Sequence, residues 1–313
     1  YIMGFNKEAL PLYVEQNSNK LIRDVILGSD TAKEFTLQTG VKTQTALNLV
    51  STNIVFQDGS TCGFNAEGES VLSQRTITAN PIKVNMTWCD KDLMNTALQH
   101  DVRVAAGQKT LPFEAEFVGD VIANVNNAYD RMLWMGDTDS EDDVLKWTDG
   151  IVKHLTAEDG ITVVAQKLTH TEGNYKEAVD NVIKAIPSAV IKNATVYMGW
   201  DFYRGYIMDL QAANLYHNAG DGLTAGETFY QGSTIRIKAV SGLDGTGIIV
   251  AGDKRNFFHG VDMLGDQEKF DLWYSKDNRE FRLAVEFNLG SQVAYPNKVV
   301  ISQNANESGN ENA

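Results

Sequence analysis

Residues 269–289 read KFDLWYSKDNREFRLAVEFNL, and this stretch decides the fold. Phe270, Leu272 and Tyr274 fall at every second position, and after a polar tetrad the alternation resumes from Phe281 to Leu289. A period of two is typical of half-buried strands, so the stretch predicts a β-hairpin with a charged turn. The predicted strands are longer than most globular strands, so the hairpin extends beyond a single core. It is better suited to contact a neighbouring subunit than to build a pocket.

Length and charge narrow the class of protein. The chain has 313 residues and a mass of 34.5 kDa, enough for one large or two medium domains. Its net charge of −14 argues against tight binding of nucleic-acid phosphates, because there is no basic surplus to displace counterions. No apolar run is long enough to span a bilayer. Only Cys62 and Cys89 occur, which excludes a disulfide scaffold and is consistent with a reducing cytoplasm.

The last third of the chain carries a family resemblance. An apolar strand leads into GDKRN at residues 252–256, followed by Gly260 and Asp262, the hairpin, and AYP at residues 294–296. This order resembles the C-terminal end of the major capsid proteins of tailed double-stranded-DNA bacteriophages. The resemblance implies an α+β Hong Kong-type phage capsid fold. That fold has an N-terminal arm, an extended β loop, a peripheral domain with a long spine helix and a long β-hairpin, and an axial α/β domain.

The resemblance also implies a division of the chain into segments. These are an N-terminal arm (1–30), the extended loop (31–92), the first part of the peripheral domain with the spine helix (93–160), the axial domain (161–261), the second part of the peripheral domain with the long hairpin (262–302) and a disordered tail (303–313).

Local patterns predict individual elements. Residues 21–26 show helical spacing, and alternation at 47–50, 54–56 and 82–86 predicts a long two-stranded β excursion with a flexible tip. Apolar residues repeat every three or four positions from Phe113 to Met132, which predicts a helix over residues 112–135 with Pro112 in its first turn. In the central third, strands are predicted near 161–164, 194–198, 234–240 and 247–251. Helices are predicted at 175–186 and after an N-cap at Asp201.

No pattern indicates catalytic or metal chemistry. The five histidines are far apart, the two cysteines cannot form a zinc site unaided, and the glycine-rich residues 242–247 lack a phosphate loop's Lys-Ser/Thr ending. The acidic loop at residues 137–143 lacks the central glycine of a calcium loop, so we interpret it as solvated, with weak divalent-ion binding as the alternative. We therefore predict no enzyme, no cofactor and no metal.

The resemblance implies a structural role in the virion, with assembly in the host cytoplasm. The chain would associate with itself as pentamers and hexamers and close into an icosahedral shell around double-stranded DNA. It would contact that DNA weakly and non-specifically, and would meet a portal and decoration or head-fibre proteins but no membrane. In one branch of the family a loop lysine bonds covalently to a neighbour, but Lys42 is the only lysine well inside this loop, so we do not carry that chemistry over. The predicted subunit contact is the hairpin tip, with residues Lys276, Asp277, Arg279 and Glu280.

Two alternatives remain at this stage. An encapsulin-type shell protein of a cellular nanocompartment shares the fold, and its cargo gene would distinguish it. A monomeric β-rich carbohydrate-binding or adhesin module would instead show clustered exposed aromatic residues, whereas the five tryptophans here are spread through the chain.

Overall fold

The computed structural model describes residues 8–60, 62–64, 67–105, 113–157, 161–166, 174–215, 225–262 and 269–304. Its helices are α1 (Ala9–Leu27), α2 (Asp30–Glu34), α3 (Asp90–Ala105), α4 (Phe113–Met135), α5 (Ile151–Thr156), α6 (Tyr175–Ala185) and α7 (Trp200–Ala212). Its strands are β1 (Thr36–Gln38), β2 (Gln44–Asn53), β3 (Glu69–Thr78), β4 (Asn80–Cys89), β5 (Thr162–Gln166), β6 (Ala194–Met198), β7 (Glu227–Phe229), β8 (Arg236–Ala239), β9 (Ile249–Asp253), β10 (Phe257–Gly260), β11 (Lys269–Ser275), β12 (Glu280–Val293) and β13 (Val300–Asn304).

The predicted hairpin is confirmed, and its second strand organises the first sheet. β11 pairs antiparallel with β12 from Lys269↔Glu286 to Ser275↔Glu280. β12 also pairs with β4 and, from Gly290 onward, with β10, which in turn pairs with β1. Because one long strand is paired with three others, its register fixes the register of this whole sheet.

Gly290 marks the point on β12 where another part of the chain passes close by. A Cβ at this position would lie 2.3 Å from the carbonyl oxygen of Thr78. Glycine is therefore required by the close approach of the backbone after β3, and not by its own dihedral angles.

The second sheet has six strands in the order β5-β13-β9-β6-β8-β7. The predicted strands and the helix at 175–186 are found within a few residues of their expected positions. The N-cap prediction at Asp201 is wrong: the helix begins at Trp200 after Gly199, and Asp201 lies in its first turn. The Asp244 carboxylate accepts a hydrogen bond from the Asp201 N–H at 2.9 Å, so the cap comes from a distant turn.

The predicted two-stranded β excursion is present, but its two strands are β2 and β3 and not the two arms that the alternation suggested. β2 pairs with β3 over ten positions as a separate two-stranded sheet, and β3 was not predicted. Residues 54–56 lie beyond the end of β2, and residues 82–86 belong to β4, which pairs with β12 in the first sheet. The alternation at 82–86 correctly indicates a strand, but its partner is set by long-range packing that a local pattern cannot show.

The N-terminal helix is longer than the predicted amphipathic stretch. α1 runs from Ala9 to Leu27, and its buried residues Leu10 and Val14 pack into one core with α4, β11 and β12. The predicted long helix is confirmed from Phe113, while Pro112 lies outside the described residues. Its 23 residues give a length of about 34 Å. The predicted tail lies outside the described residues from 305 onward, and residues 300–304 form the unpredicted strand β13.

An aromatic cluster joins α4 to the second sheet. Phe35 lies 5.2 Å, between ring centroids, from both Trp134 and Phe257, and Trp134 lies 5.4 Å from Tyr197. All four side chains are buried. Such pairs add about 0.5–1.5 kcal/mol each beyond the burial of area, so this cluster couples the two sheets.

Asp130 connects three segments beside this cluster. Its Oδ1 accepts from the Thr31 N–H at 3.0 Å, and its Oδ2 accepts from the Ser241 hydroxyl at 2.8 Å and the Gly242 N–H at 2.9 Å. One turn further along α4, the Trp134 indole N–H donates to the Thr31 hydroxyl at 2.7 Å. The buried carboxylate thus has its acceptor capacity used by backbone and side-chain donors, as burial of a polar group requires.

We predict that Asp130→Ala destabilises the subunit by about 3–5 kcal/mol, because three buried donors lose a charged acceptor. Asp120→Ala, on the exposed face of the same helix, should change the free energy of unfolding by less than about 0.5 kcal/mol. Chemical denaturation of the unassembled subunit measures both. Equal stability of the two variants would contradict a structural role for the Asp130 carboxylate.

His259 provides a second test in the same core. The side chain is fully buried in β10, its Nε2 is hydrogen-bonded to the Tyr129 hydroxyl, and burial lowers its pKa to about 3. In the unfolded chain its pKa is about 6.5. Between these values the unfolded state binds a proton that the folded state does not, so stability is lost as the pH falls below about 6.5.

We expect His259→Gln, which cannot take up this proton, to remove that component of acid sensitivity. When the unfolded state binds one more proton than the folded state, the free energy of unfolding falls by at most about 1.4 kcal/mol for each unit that the pH decreases. Urea unfolding at pH 7, 5.5 and 4.5 should therefore show the variant gaining on the wild type as the pH falls, whatever its packing cost at pH 7. Parallel stability profiles for the two proteins would contradict the buried neutral histidine.

Candidate subunit-contact surfaces

The hairpin tip is a four-residue turn between β11 and β12. Arg279 has a φ of 55°, the left-handed conformation that closes the turn, and its carbonyl accepts from the Asp90 N–H at 3.3 Å. That bond ties the turn to the first residue of α3. The tip is therefore positioned by a helix that the sequence did not reveal.

The four predicted contact residues meet in this turn, but they do not share one environment. Lys276, Asp277 and Arg279 are exposed. The Glu280 carboxylate is less exposed and accepts from Arg282 Nε at 2.8 Å and from Asn278 Nδ2 at 3.2 Å, which lowers the pKa of Glu280. Glu280 is thus engaged within its own hairpin, and its predicted contact role is weakened relative to the other three.

A second surface is the β2–β3 excursion, residues 44–78. Its exposed large apolar side chains outnumber those of any comparable described stretch: Val50, Ile54, Val55, Phe56, Phe64, Val71 and Leu72. Phe56 and Phe64, beyond the paired strands, are 95% and 96% exposed. A concentration of exposed apolar side chains marks an interaction surface.

The foot of the excursion is fixed to the body of the subunit. Val41, Leu47, Ile77 and Ala79 form a small buried cluster. The Gln292 amide donates to the Thr76 carbonyl at 2.8 Å, and the Tyr295 hydroxyl donates to the Val50 carbonyl at 3.1 Å. These contacts reach Val50, and the exposed residues at the end of β2 extend beyond them.

A charged network lies just before the excursion. Glu34, at the end of α2, is bonded to Arg236 at 2.9 Å and to Lys238 at 2.8 Å, and the same two cations contact Glu227. Burial opposes ionisation of Glu34, but hydrogen bonds from Lys238 and Arg236 outweigh it, so the pKa of Glu34 is lowered. The network connects the start of the excursion to the β7–β8 edge of the second sheet.

The acidic loop is organised by a lysine. Lys153 Nζ lies 2.6 Å from Asp137, 2.7 Å from Asp139 and 2.8 Å from Asp149. Burial works against the charge on Lys153, but these three carboxylates raise its pKa. Over the described ranges, no group of three or more His, Cys, Asp or Glu side chains could hold a metal ion. The ammonium group of Lys153 occupies the position that a cation would take.

The remaining predicted features fall at separate places. His100 is buried with Nε2 at 3.4 Å from Glu116, His259 contacts Tyr129, His154 lies in α5, and His170 and His217 lie outside the described residues. Cys62 and Cys89 are both exposed. Residues 242–247 begin within a short 3-10 turn, Ser241–Leu243, that lies against α4, and they bring Asp244 to the start of α7. No helix in the described part of the chain is long and apolar enough to cross a membrane.

Comparison with known proteins identifies the fold. No protein-family model matches the sequence, and no curated protein matches it. Among solved structures, the chain is similar to one from the procapsid of satellite phage P4, solved with its size determination protein. The identity is 10%, the TM-score is 0.61, and the match covers 91% of this chain and 89% of that one.

Two further structures extend the comparison. The capsid of an empty GTA particle matches at 10% identity and a TM-score of 0.59, over 88% of this chain and 90% of that one. A virus-like particle from Pyrococcus furiosus matches at 11% identity and a TM-score of 0.52, over 93% and 99% of the two chains. The α+β Hong Kong-type capsid fold is thereby confirmed. A β-rich carbohydrate-binding or adhesin module does not describe this fold. The assignment of individual segments to arm, loop and domains stays a prediction.

We predict that Lys276→Glu combined with Arg279→Glu leaves the subunit's melting temperature nearly unchanged and reduces the yield of closed shells. The side chains are exposed, and neither Arg nor Glu is better suited to the left-handed position, so the fold gains no strain. The loss should be largest at low salt, where screening of surface charge is weakest.

The matched control carries the same charge change elsewhere, with Lys184→Glu and Lys192→Glu on exposed positions of the second-sheet region. Sedimentation and electron microscopy of assembly reactions at several salt concentrations compare the two. Normal shell yields from the tip variant at every salt concentration would show that the tip makes no subunit contact.

Proposed function

We propose that this chain is a structural major capsid protein of a tailed phage. It assembles as pentamers and hexamers into the icosahedral shell that encloses double-stranded DNA. The observation that carries the proposal is a capsid fold matched over about nine-tenths of the chain. The concentration of exposed apolar side chains on a projecting excursion supports it, because a monomer gains nothing from exposing them to water.

The proposal also assigns contacts to particular parts of the subunit, as the resemblance implies. The extended loop and the hairpin tip contact neighbouring subunits, and portal, decoration or head-fibre proteins complete the particle. The role is structural and not catalytic, in keeping with capsid neighbours and with the absence of a nucleophile, base and oxyanion constellation in the sequence. An encapsulin-type shell is the rival within the same fold, but the similar structures from a phage P4 procapsid and a GTA capsid favour a phage-type shell.

Negative-stain electron microscopy of the purified protein tests the function directly. We expect closed shells, together with pentameric and hexameric intermediates in sedimentation. Particles purified from the native source should contain double-stranded DNA, whereas an encapsulin would contain a protein cargo. A stable monomer under all assembly conditions would refute a shell function.

We expect contact with packaged DNA to be weak and non-specific. The chain carries a net charge of −14, which any local basic patch must overcome. Binding of the isolated protein to duplex DNA, followed by fluorescence anisotropy at physiological salt, should show no nanomolar affinity. Nanomolar binding would contradict this proposal without affecting the capsid fold.

A further inference from the structure

One end of the second sheet carries a group of exposed cations. They stand in three short 3-10 turns that enter or leave its strands: Ile191–Asn193 before β6, Lys254–Asn256 after β9 and Pro296–Lys298 before β13. The exposed cations are Lys192, Lys254, Arg255 and Lys298. We call these four residues the basic end of the second sheet.

The strand register places the three turns side by side. Ala194, the first residue of β6, pairs with Asp253, the last residue of β9. On the other side of β9, Ala251 pairs with Val300, the first residue of β13. Neighbouring strands lie about 4.8 Å apart, so the three turns leave the sheet within about 10 Å of one another. Cations that are far apart along the chain therefore form one surface.

Two of the turns are fixed to each other by an asparagine. Asn256 Nδ2 donates to the Tyr295 carbonyl at 2.8 Å, and Asn256 Oδ1 accepts from the Tyr295 N–H at 2.7 Å. The Nζ of Lys298 lies 4.3 Å from the centroid of the Tyr295 ring, a cation–π distance. The Asp253 carboxylate accepts from the Arg255 N–H at 3.0 Å and holds the start of the other turn. Because the backbone that carries the cations is already fixed, binding of a ligand requires little further ordering of the chain.

These cations are opposed by little negative charge. In the three turns and the strand residues that adjoin them, Asp253 is the one acidic residue, and it lies 2.6 Å from Arg255. The charged network of Glu34 lies beside this end at the start of β8, and its two carboxylates are matched by its two cations. Four cations against one carboxylate leave a local charge of +3 in a chain whose net charge is −14.

A polyanion suits this surface better than an acidic protein does. Duplex DNA carries one negative charge for about every 1.7 Å of its axis, so a surface about 10 Å wide meets several phosphates at once. An acidic protein segment would also need apolar contacts at the centre of its interface. The cations instead stand beside exposed polar residues, Asn193 and Asn297. The acidic chain as a whole repels DNA, so contact requires a place where the local charge is reversed.

We infer that the basic end of the second sheet is the surface that contacts packaged double-stranded DNA, with its four cations neutralising phosphates. The inference rests on the proposed function and names the place at which the weak contact is made. It implies that this end of the sheet faces the interior of the shell. The contact reads no base sequence, because it is made to phosphates and not to base edges.

Duplex binding at low salt tests the assignment. Lys254→Gln with Lys298→Gln removes two cations of the basic end. Lys20→Gln with Arg23→Gln, at exposed positions of α1, removes the same charge elsewhere and is the matched control. The probe is a fluorescein-labelled DNA duplex of mixed sequence, and its anisotropy is followed with the unassembled subunit at several salt concentrations below physiological.

The two double variants should differ in both affinity and salt dependence. We expect the basic-end variant to bind the duplex about tenfold more weakly than the wild type. The slope of log affinity against log salt concentration should become shallower by about 2, because two phosphate contacts are lost. The control should keep the slope of the wild type. If the two double variants have the same affinity and slope, the DNA contact lies elsewhere and the shell function stands.

Assembly without DNA distinguishes a phosphate contact from a subunit contact. The basic-end variant should form closed shells in the yield of the wild type, because its altered side chains are exposed and the proposed contact is made to DNA. Sedimentation of DNA-free assembly reactions measures this yield. A loss of shells with unchanged affinity for the duplex would show that the basic end contacts a second subunit, and the inference would be wrong. If the wild type forms no shells under any assembly condition, the proposed function itself fails.

Competition identifies the class of ligand. Unlabelled duplex should displace the labelled duplex from the wild-type subunit at a lower concentration of negative charge than poly-L-glutamate does. More effective displacement by poly-L-glutamate would indicate a surface for an acidic protein and would overturn the assignment to DNA.

Labelling with acetic anhydride tests the assignment in the assembled particle. Lys254 and Lys298 should be acetylated less in DNA-filled particles than in shells assembled without DNA, relative to Lys20 in the same samples. Equal acetylation of the two lysines in filled and empty shells would contradict a contact with packaged DNA.

Discussion

The buried carboxylate of Asp130 holds together segments that are 99 and 112 positions away from it in the sequence. The three bonds to it come from two segments, the start of α2 and the turn that follows β8. A long helix packed only by apolar contacts can slide by small amounts at little cost, whereas a charged acceptor with three fixed donors has one position. Trp134 lies four residues further on, so it stands on the same face of α4. The Trp134 indole donates a hydrogen bond to Thr31 and its ring contacts Tyr197. These contacts fix the position of α4 relative to the second sheet as well.

Two ion-pair clusters also lie where segments join. One cluster lies between the end of α2 and the start of the excursion. It consists of two carboxylates and two cations: Glu34, Glu227, Arg236 and Lys238. Lys153 gathers three aspartates where the acidic loop returns to α5. In the cluster of Glu34, Glu227 and Lys238, replacing one partner leaves the others largely buried without compensation, so this junction is harder to alter than an exposed ion pair.

The sequence predicts those parts of the fold in which local pattern and final environment agree. The hairpin of β11 and β12 could be predicted because both strands alternate over their paired length, and α4 because its apolar face repeats without interruption. β3 could not be predicted, because its sequence ESVLSQRTIT is exposed on nearly all positions and has no buried face to create a pattern. α3 was missed for a related reason: its polar sequence gives only a weak apolar stripe.

The role of Asp130 could not be predicted, because a single acidic residue in a helical pattern resembles the solvent face. Only its distant donors show that it is buried. For the contact surfaces, the charged turn could be located from sequence, but the bond between Glu280 and Arg282, two residues apart on the same strand, became apparent only in the structure. Phe56 stood in a segment predicted as strand, whereas Phe64 stood in the predicted flexible tip.

The excursion joins the body of the subunit through a closed neck, at which the Ala79 N–H donates to the Thr43 carbonyl at 2.8 Å. Beyond that bond the β2–β3 ladder contacts the body as far as Val50, and the length of the ladder past those contacts is independent of both cores. Two residues added to each strand would move the far end outward by about 7 Å and keep every side chain on its original face, whereas one residue added would exchange the faces. The length of the excursion can therefore change in steps of two residues per strand without exchanging its two faces. The spacing between one copy and the surface it touches can change through insertions in one hairpin, while the hydrophobic interior and the Asp130 junction remain as they are.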